Sequence, residues 1–361
     1  RLELNGEYYT SLSYKPLLKE RKRISVYPLQ HFMQWGTPED LHEYNYWSKT
    51  FKSMSLLRDD LVLQNGSTII PMAGLGKRFK DEGYIKTKPL IEVSGDSMVS
   101  KATADLPSTP SNVFVLRSDM SDCETVTSEL LEKYPESIIK KIDHLTDGQA
   151  ITASIGFNTL MEDDTADTDP ITFGVCDSGV IYNNKKLEVL LERDDVDVIV
   201  WTIRGYPNAA RNPEMYGWVQ QDSNEFIKHI SVKTPLSDTL NDPIVLGIFT
   251  FKNPEYFKQS FESLLKREGK INDEYYLDSC IEDAIKLGLN CAIYEVDHFL
   301  CWGTPNDLKT FQYWQSCFHL WQSHDYNVEK DQRIPKNKTQ SLKEHIDKND
   351  PTLFFSLGEN E

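Results

Sequence analysis

Apolar residues in this chain fall mostly in short runs of strand length. Thr68-Ile69-Ile70, Asn112–Leu116, Ile171–Val175, Val196–Ile203, Ile244–Phe251 and Cys291–Tyr294 are rich in β-branched and aromatic side chains and read as buried strands. Helical stretches such as Thr125–Lys133, Ile151–Leu160 and Lys185–Glu192 lie between several of them. Strands alternating with helices predict an α/β sheet, at least partly parallel, with ligands at the carboxyl ends of the strands. No apolar run approaches the ~18 residues of a membrane span, so no membrane partner is expected.

Part of the pattern occurs twice. Residues 5–51 align without a gap on 272–318, so that Asn5, Tyr8 and Tyr9 match Asn272, Tyr275 and Tyr276. Trp35-Gly36-Thr37-Pro38 likewise matches Trp302-Gly303-Thr304-Pro305, and Phe51 matches Phe318. Each copy predicts a helix, a short strand (Ile24–Tyr27; Cys291–Val296), a Gly-Thr-Pro turn and a second helix. That second helix should be capped by the threonine, with proline in its first position.

With 361 residues and 39% hydrophobic content the chain can bury a sizeable core. The six cysteines form no C-x-x-C pair, which suggests free thiols and a cytoplasmic setting rather than a zinc site or disulfide framework. The N-terminus carries no apolar secretory core. A formal charge of -17 makes one local reversal stand out: between Lys77 and Lys88, five cations (Lys77, Arg78, Lys80, Lys86, Lys88) face two acids (Asp81, Glu82). Such a field favours small anions over a nucleic-acid polymer.

Those cations sit on a glycine loop that follows the Thr68–Ile70 strand. Gly74 and Gly76 let the backbone approach a bound group, and successive amides in such a turn can form an anion nest. Neither common fingerprint fits. The third glycine of G-x-G-x-x-G is Phe79, and Gly74-Leu75-Gly76-Lys77-Arg78 lacks both the gap and the Ser/Thr of a P-loop. Farther along, the apolar Ile171-Thr-Phe-Gly-Val-Cys run ends in Asp177, a costly place for a charge unless it is solvated or coordinates something, so Asp177 is the first candidate metal ligand.

PMAGLGKRF followed by Lys88-Pro89-Leu90 resembles the G-x-G-x-R-[FL] … K-P signature of the sugar-1-phosphate nucleotidyltransferases, or nucleotide-sugar pyrophosphorylases. The resemblance spans Ser67 to Phe318. It implies a Rossmann-like nucleotidyltransferase (GT-A-like) three-layer sandwich with a mixed, mostly parallel sheet. The implied reaction is Mg²⁺-dependent: a nucleoside triphosphate and a sugar 1-phosphate give a nucleotide-sugar and pyrophosphate. Since a G-T-P-x-D-[LY] element ends the catalytic domain in that family, residues 1–51 look like the tail of an upstream copy. Residues 52–66 then form a linker, 67–320 the complete domain and 321–361 a loosely packed or disordered polar tail, its one apolar cluster at Leu353–Leu357.

The resemblance also assigns roles. Met72, Ala73, Gly74, Gly76 and Lys77 line the phosphate loop. Gly148 and Gln149 form a base- and sugar-contacting turn, although a helix-entry turn has the same sequence. Gly217, in Tyr216-Gly217-Trp218-Val219, and Lys233 meet the sugar phosphate; Tyr216 and Trp218 equally suit a core, and the acid usual before the lysine is Val232. Asp278 supplies the second metal carboxylate, and the upstream copy has Ser11 there. Arg78, a planar fork, is assigned to the leaving pyrophosphate and Lys88 to the α-phosphate. Two other readings stay open: a non-catalytic sugar-nucleotide-binding module, and transfer to another phosphate such as phosphocholine or a polyol phosphate. Base, sugar and oligomeric state are not legible.

Overall fold

The computed structural model describes residues 3–26, 29, 31–56, 60–63, 65–162 and 170–348. Tyr27, the linker residues 57–59 and 64, and the Leu353–Leu357 cluster therefore lie outside the described residues. Close contacts divide the chain into two compact units, Arg1–Met33 and Gln34–Glu361.

The larger unit is built on nine strands: β1 (Ser67–Pro71), β2 (Ser111–Arg117), β3 (Ile138–Ile142), β4 (Ile171–Phe173), β5 (Val198–Ile203), β6 (Gly217–Gln221), β7 (Ile227–Val232), β8 (Ile244–Phe251) and β9 (Cys291–Glu295). The order β7-β6-β8-β4-β1-β2-β3 is set by hydrogen bonding, with β5 on the other side of β8 and β9 beside β5. The pairs β1–β2, β1–β4, β2–β3 and β5–β9 are parallel, while β8 runs against β4, β5 and β6, and β7 against β6. Seven of the nine strands thus point one way, with only β7 and β8 reversed. The expected mixed, mostly parallel sheet is present.

The strands are where the apolar runs placed them, because each is buried. Ile69, Ile70, Val113–Leu116, Phe173 and Val198–Trp201 are essentially inaccessible. Alternation then divides them between the faces. Ile69, Val113, Val115 and Phe173 pack with Ala153 and Phe157 of helix Gln149–Met161, Phe257 of Pro254–Lys266 and Ile281 of Leu277–Lys286. Phe114, between two of these residues in β2, instead meets Tyr134, just past helix Cys123–Lys133. Among the described residues no helix is long and apolar enough to cross a membrane. All six thiols are free.

The repeat is visible locally as well as in sequence. In the small unit, Leu4 pairs with Glu7 around a turn in which Asn5 and Gly6 have φ of 53° and 81°. In the large unit, Ile271 bridges Glu274 around Asn272 and Asp273, at 50° and 64°. Helix Tyr14–Lys19 ends with Arg21 left-handed (φ 55°) and the Lys22 N–H donating to Leu17 O (2.9 Å). Its counterpart ends with Gly288 at 87° and Leu289 N–H donating to Ala284 O (3.0 Å). Both copies use the same C-terminal helix motif.

Between these conserved pieces the copies diverge. Cys291–Glu295 is strand β9, paired with β5, but Ile24–Val26 form no strand, a correction to the expectation from sequence. Among the described residues of the small unit the strand pairing is the short Glu3–Leu4/Glu7–Tyr8 hairpin, and Ile24–Val26 do not join it. Trp302 is fully buried whereas its counterpart Trp35 is 53% exposed.

The Gly-Thr-Pro helices match their prediction. Helix Pro38–Met54 is capped by Thr37, whose hydroxyl accepts from Asp40 N–H, and helix Pro305–Leu320 by Thr304, which accepts from Asp307 N–H. By packing, Gln34–Met54 belongs to the large unit, although the repeat groups it with 1–33. Equivalent residues of the two helices meet reciprocally. Tyr44 lies 6.2 Å from Trp314 and Trp47 lies 6.3 Å from Phe311, while Phe51 lies 5.7 Å from its own counterpart, Phe318.

The described part of the polar tail, 321–348, is also better packed than its composition suggested. Tyr326, Val328 and Ile334 are buried, and helix Lys336–Asp347 buries Ile346. A few apolar anchors, with the Tyr326 hydroxyl bound by Gln315 and Asp331, order a segment that is otherwise polar.

Candidate active site

Because seven strands run parallel, the segments leaving β1, β2, β3, β4, β5 and β9 emerge at one edge of the sheet. The start of β6 and the end of β7 lie there too, since Gly217 pairs with Val232 and also with Val245, which sits beside Thr202 near the end of β5. This carboxyl edge is the expected place for a ligand, and every candidate site residue lies on a segment that reaches it.

The glycine loop leaves β1 with Met72 and Ala73 still buried. Met72 N–H donates to Val115 O (2.9 Å), and Ala73 O accepts from Arg117 Nη1 (3.1 Å). Arg117, at the end of an apolar run, props the loop from beneath and was missed from sequence. The signal was the same one that picked out Asp177. Gly74 is exposed with open space around it, and Gly76 adopts φ 61° at the start of the five-residue helix Lys77–Asp81. A Cβ on Gly76 would come within 3.2 Å of Lys88 Cβ, so a glycine there lets Lys88 pass close beneath the loop.

Two clusters of charge face this loop. In the first, Lys88 Nζ donates to Asp177 Oδ2 (2.5 Å) and Gly303 O (3.1 Å). Burial alone would lower the Lys88 pKa, but Asp177 more than offsets this and holds the ammonium charged. Cys301 stands beside them, its thiol pushed well up by burial and by Asp307 and Asp177. It is a neutral neighbour, not a nucleophile.

In the second cluster, Asp278 opens helix Leu277–Lys286 and lies over Gly217, where a Cβ would meet its Oδ2 at 2.3 Å. Burial raises the Asp278 pKa and Lys233 opposes the shift; burial lowers that of Lys233, opposed by Asp278. Lys233 also holds a left-handed φ of 58°, a conformation costing a non-glycine residue about 1–2 kcal/mol. Its N–H donates to Tyr216 O (3.2 Å) and its ammonium to Met215 O, which fixes the bend. The charges of Arg78 and Asp177 both bear on Lys233, so the fields of the two clusters overlap.

The Gly148-Gln149 turn is pinned to the same region. Tyr275 N–H donates to Asp147 O (2.8 Å), Ala150 N–H donates to Tyr275 O (2.9 Å), and Lys270 pairs with Asp147 (2.7 Å). Gly148 has φ 118° and no room for a Cβ, the Tyr275 backbone being 2.5 Å away. Gln149 is the first residue of its helix. Of the paired aromatics, Trp218 is core, fully buried with its indole N–H on Pro213 O (2.9 Å). Tyr216 is buried but receives Asn208 Nδ2 at its hydroxyl (3.0 Å).

No protein-family model matches this sequence, and comparison with curated protein sequences finds no match. Solved structures do match. A nucleoside-diphosphate-sugar pyrophosphorylase from Vibrio cholerae RC9 superposes with a TM-score of 0.56 at 18% identity, over 68% of this chain and 98% of that one. The inositol-1-phosphate CTP transferase from T. maritima gives 0.52 at 14% identity, over 70% and 95%. A Bacillus anthracis protein assigned as a glucose-1-phosphate thymidylyltransferase gives 0.50 at 15%, over 68% and 93%. The chain has the sugar-phosphate nucleotidyltransferase fold. In this nucleotidyltransferase fold the glycine loop, both charge clusters and the Gly148 turn share one edge of the sheet.

The Gly217–Asp278 contact tests the assignment of the second cluster. Gly217→Ala leaves the backbone unstrained but displaces the carboxylate, and shifts of about 1 Å at a reacting centre cost up to about 10²-fold in rate. A loss of kcat of at least tenfold is expected, with circular dichroism unchanged; wild-type turnover would remove Asp278 from the site.

Proposed function

We propose that the chain transfers a nucleotidyl group from a nucleoside triphosphate to a sugar 1-phosphate, releasing pyrophosphate. The observation that carries this reading is the convergence of Arg78, Lys88 and Lys233 with Asp177 and Asp278 beside a glycine loop at the carboxyl edge. An acceptor phosphate oxygen attacks the α-phosphorus; the new P–O bond forms as the bond to the β-phosphate oxygen breaks, and pyrophosphate departs with that electron pair. No protein nucleophile is needed. The site's work is to hold two anions together and to stabilise charge building on the equatorial and leaving oxygens.

Lys88 is suited to the α-phosphate. Two of its three donors engage Asp177 and Gly303, which aims the third. Lys233 takes the acceptor phosphate. Arg78, placed on the leaving pyrophosphate from sequence, lies close enough to Lys233 for their charges to interact and so serves the phosphates where the two substrates meet.

Among the described residues no three His, Cys, Asp or Glu side chains gather into a metal cage. Mg²⁺ does not require one, because it binds through one or two carboxylates together with substrate phosphates and water. Asp177 and Asp278 offer oxygen donors of that kind and would hold it, and the ion would neutralise phosphate charge.

Pyrophosphate release, screened over four nucleoside triphosphates against a panel of sugar phosphates with Mg²⁺, tests the reading. Turnover with one pairing supports it. Sugar-nucleotide binding without turnover would favour the non-catalytic module, and turnover only with phosphocholine or a polyol phosphate would replace the acceptor.

A further inference from the structure

Next to the glycine loop opens a cavity of about 640 Å³ that the two charge clusters do not fill. Arg78 lines it from the loop, Asn208 and Arg211 from the segment after β5, and Asp307 from the Gly-Thr-Pro turn. Glu43, from helix Pro38–Met54, completes it. That helix belongs to the upstream copy of the repeat, and Glu43 occupies the same repeat position as Thr310, which lines the cavity from the downstream helix.

The polar groups in this wall are fixed by one another. Arg211 Nη2 donates to Glu43 Oε2 (2.5 Å), and Trp314 Nε1 donates to Glu43 Oε1 (3.4 Å). The Glu43 side chain is only 15% exposed while that of Arg211 is 49% exposed, so the carboxylate is the anchor and the guanidinium the presented group. A carboxylate this enclosed is costly unless held by donors, and here both oxygens are. Asn208 Nδ2 donates to Asp307 Oδ1 (2.7 Å), and Asp307 is held by the Thr304 hydroxyl (2.6 Å). Counting Asp81 and Glu82 as well, the lining sets four carboxylates against two guanidinium groups, together with amides and the rings of Trp47 and Tyr206, which suits neither a bare polyanion nor a wholly apolar ligand. Neutral hydroxyls, which both donate and accept, can bond to every polar member.

We propose that this cavity is the acceptor subsite, that Arg211 reads the hydroxyls of a polyhydroxylated carrier, and that Glu43 from the upstream repeat positions Arg211. The carrier's phosphate lies at the rim between Arg78 and Lys233. This rests on the nucleotidyl-transfer reading and adds to it the residues that recognise the acceptor. The repeat helix is then a specificity element of the neighbouring catalytic copy, not an appendage.

The test is calorimetric binding to the full chain of glucose 1-phosphate, inositol 1-phosphate and phosphocholine, with each nucleoside triphosphate titrated separately. Wild type should bind at least one of the two polyhydroxylated esters and bind phosphocholine more weakly. Glu43→Gln and Arg211→Gln should each weaken that ester by about tenfold or more, the scale of one hydrogen bond to a charged group, while triphosphate affinity changes less than about twofold. A purely structural role would shift both ligands together. Unchanged ester affinity in both variants, tighter binding of phosphocholine, or no ester binding where a triphosphate binds would each overturn the proposal. Pyrophosphate release is scored apart, so ester binding without any turnover would sink the transfer reading and leave the subsite standing.

Discussion

Lys88→Ala should cut kcat by about 10²–10³ with little change in secondary structure, the scale of losing one preorganised charge stabiliser. Lys88 is enclosed, charged and aimed by Asp177 and Gly303, so its ammonium reaches the transition state without reorganising. The substitution also strips Asp177 of its partner, which sits at 28% side-chain exposure and can recruit water to compensate. If the lysine merely covered the loop, the rate would fall less than about threefold, as for an exposed charge worth a few tenths of a kcal/mol. Steady-state pyrophosphate release, with matched circular dichroism, distinguishes them.

Phe51→Ala should destabilise the chain by about 3–5 kcal/mol, the usual range for deleting a buried phenylalanine ring. Phe51 is fully buried and touches Phe311, Phe318 and Tyr326, with Tyr326 closest at 4.8 Å. Three rings from two other segments close around it, so the void cannot collapse cheaply. Urea unfolding should show a lower midpoint with the same m-value. A change below about 1 kcal/mol would mean that helix Pro38–Met54 is only loosely attached.

Much of this was legible in the sequence for a simple reason: the strands are buried runs and the site is made of rule-breaking residues. Ile244–Phe251 was bounded correctly because nothing but a buried strand tolerates eight such residues, and Asp177 betrayed itself as a charge ending an apolar run. Strands β3 and β7 were missed. Lys140 and Lys141 lie within β3, an edge strand, and Lys228 and His229 within β7, so their composition masks their pairing. The cavity wall was invisible because Glu43 and Arg211 are 168 positions apart, and no local pattern encodes such a meeting. Ile24–Val26 erred in the opposite direction: the residues have a strand's composition, but no strand forms there.

The reciprocal packing of the two Gly-Thr-Pro helices carries an architectural consequence. Contacts in which residue i meets j while i's counterpart meets j's counterpart are those of an isologous, two-fold interface. Here both halves of that interface lie on one polypeptide, joined through Met54 to Gly66, so pairing is governed by effective concentration, at the millimolar scale typical of short tethers, and not by dilution. A tethered pair no longer requires its partners to be identical. The two copies can therefore differ in sequence, as Ser11 and Asp278 do at equivalent positions, while their helices remain packed together.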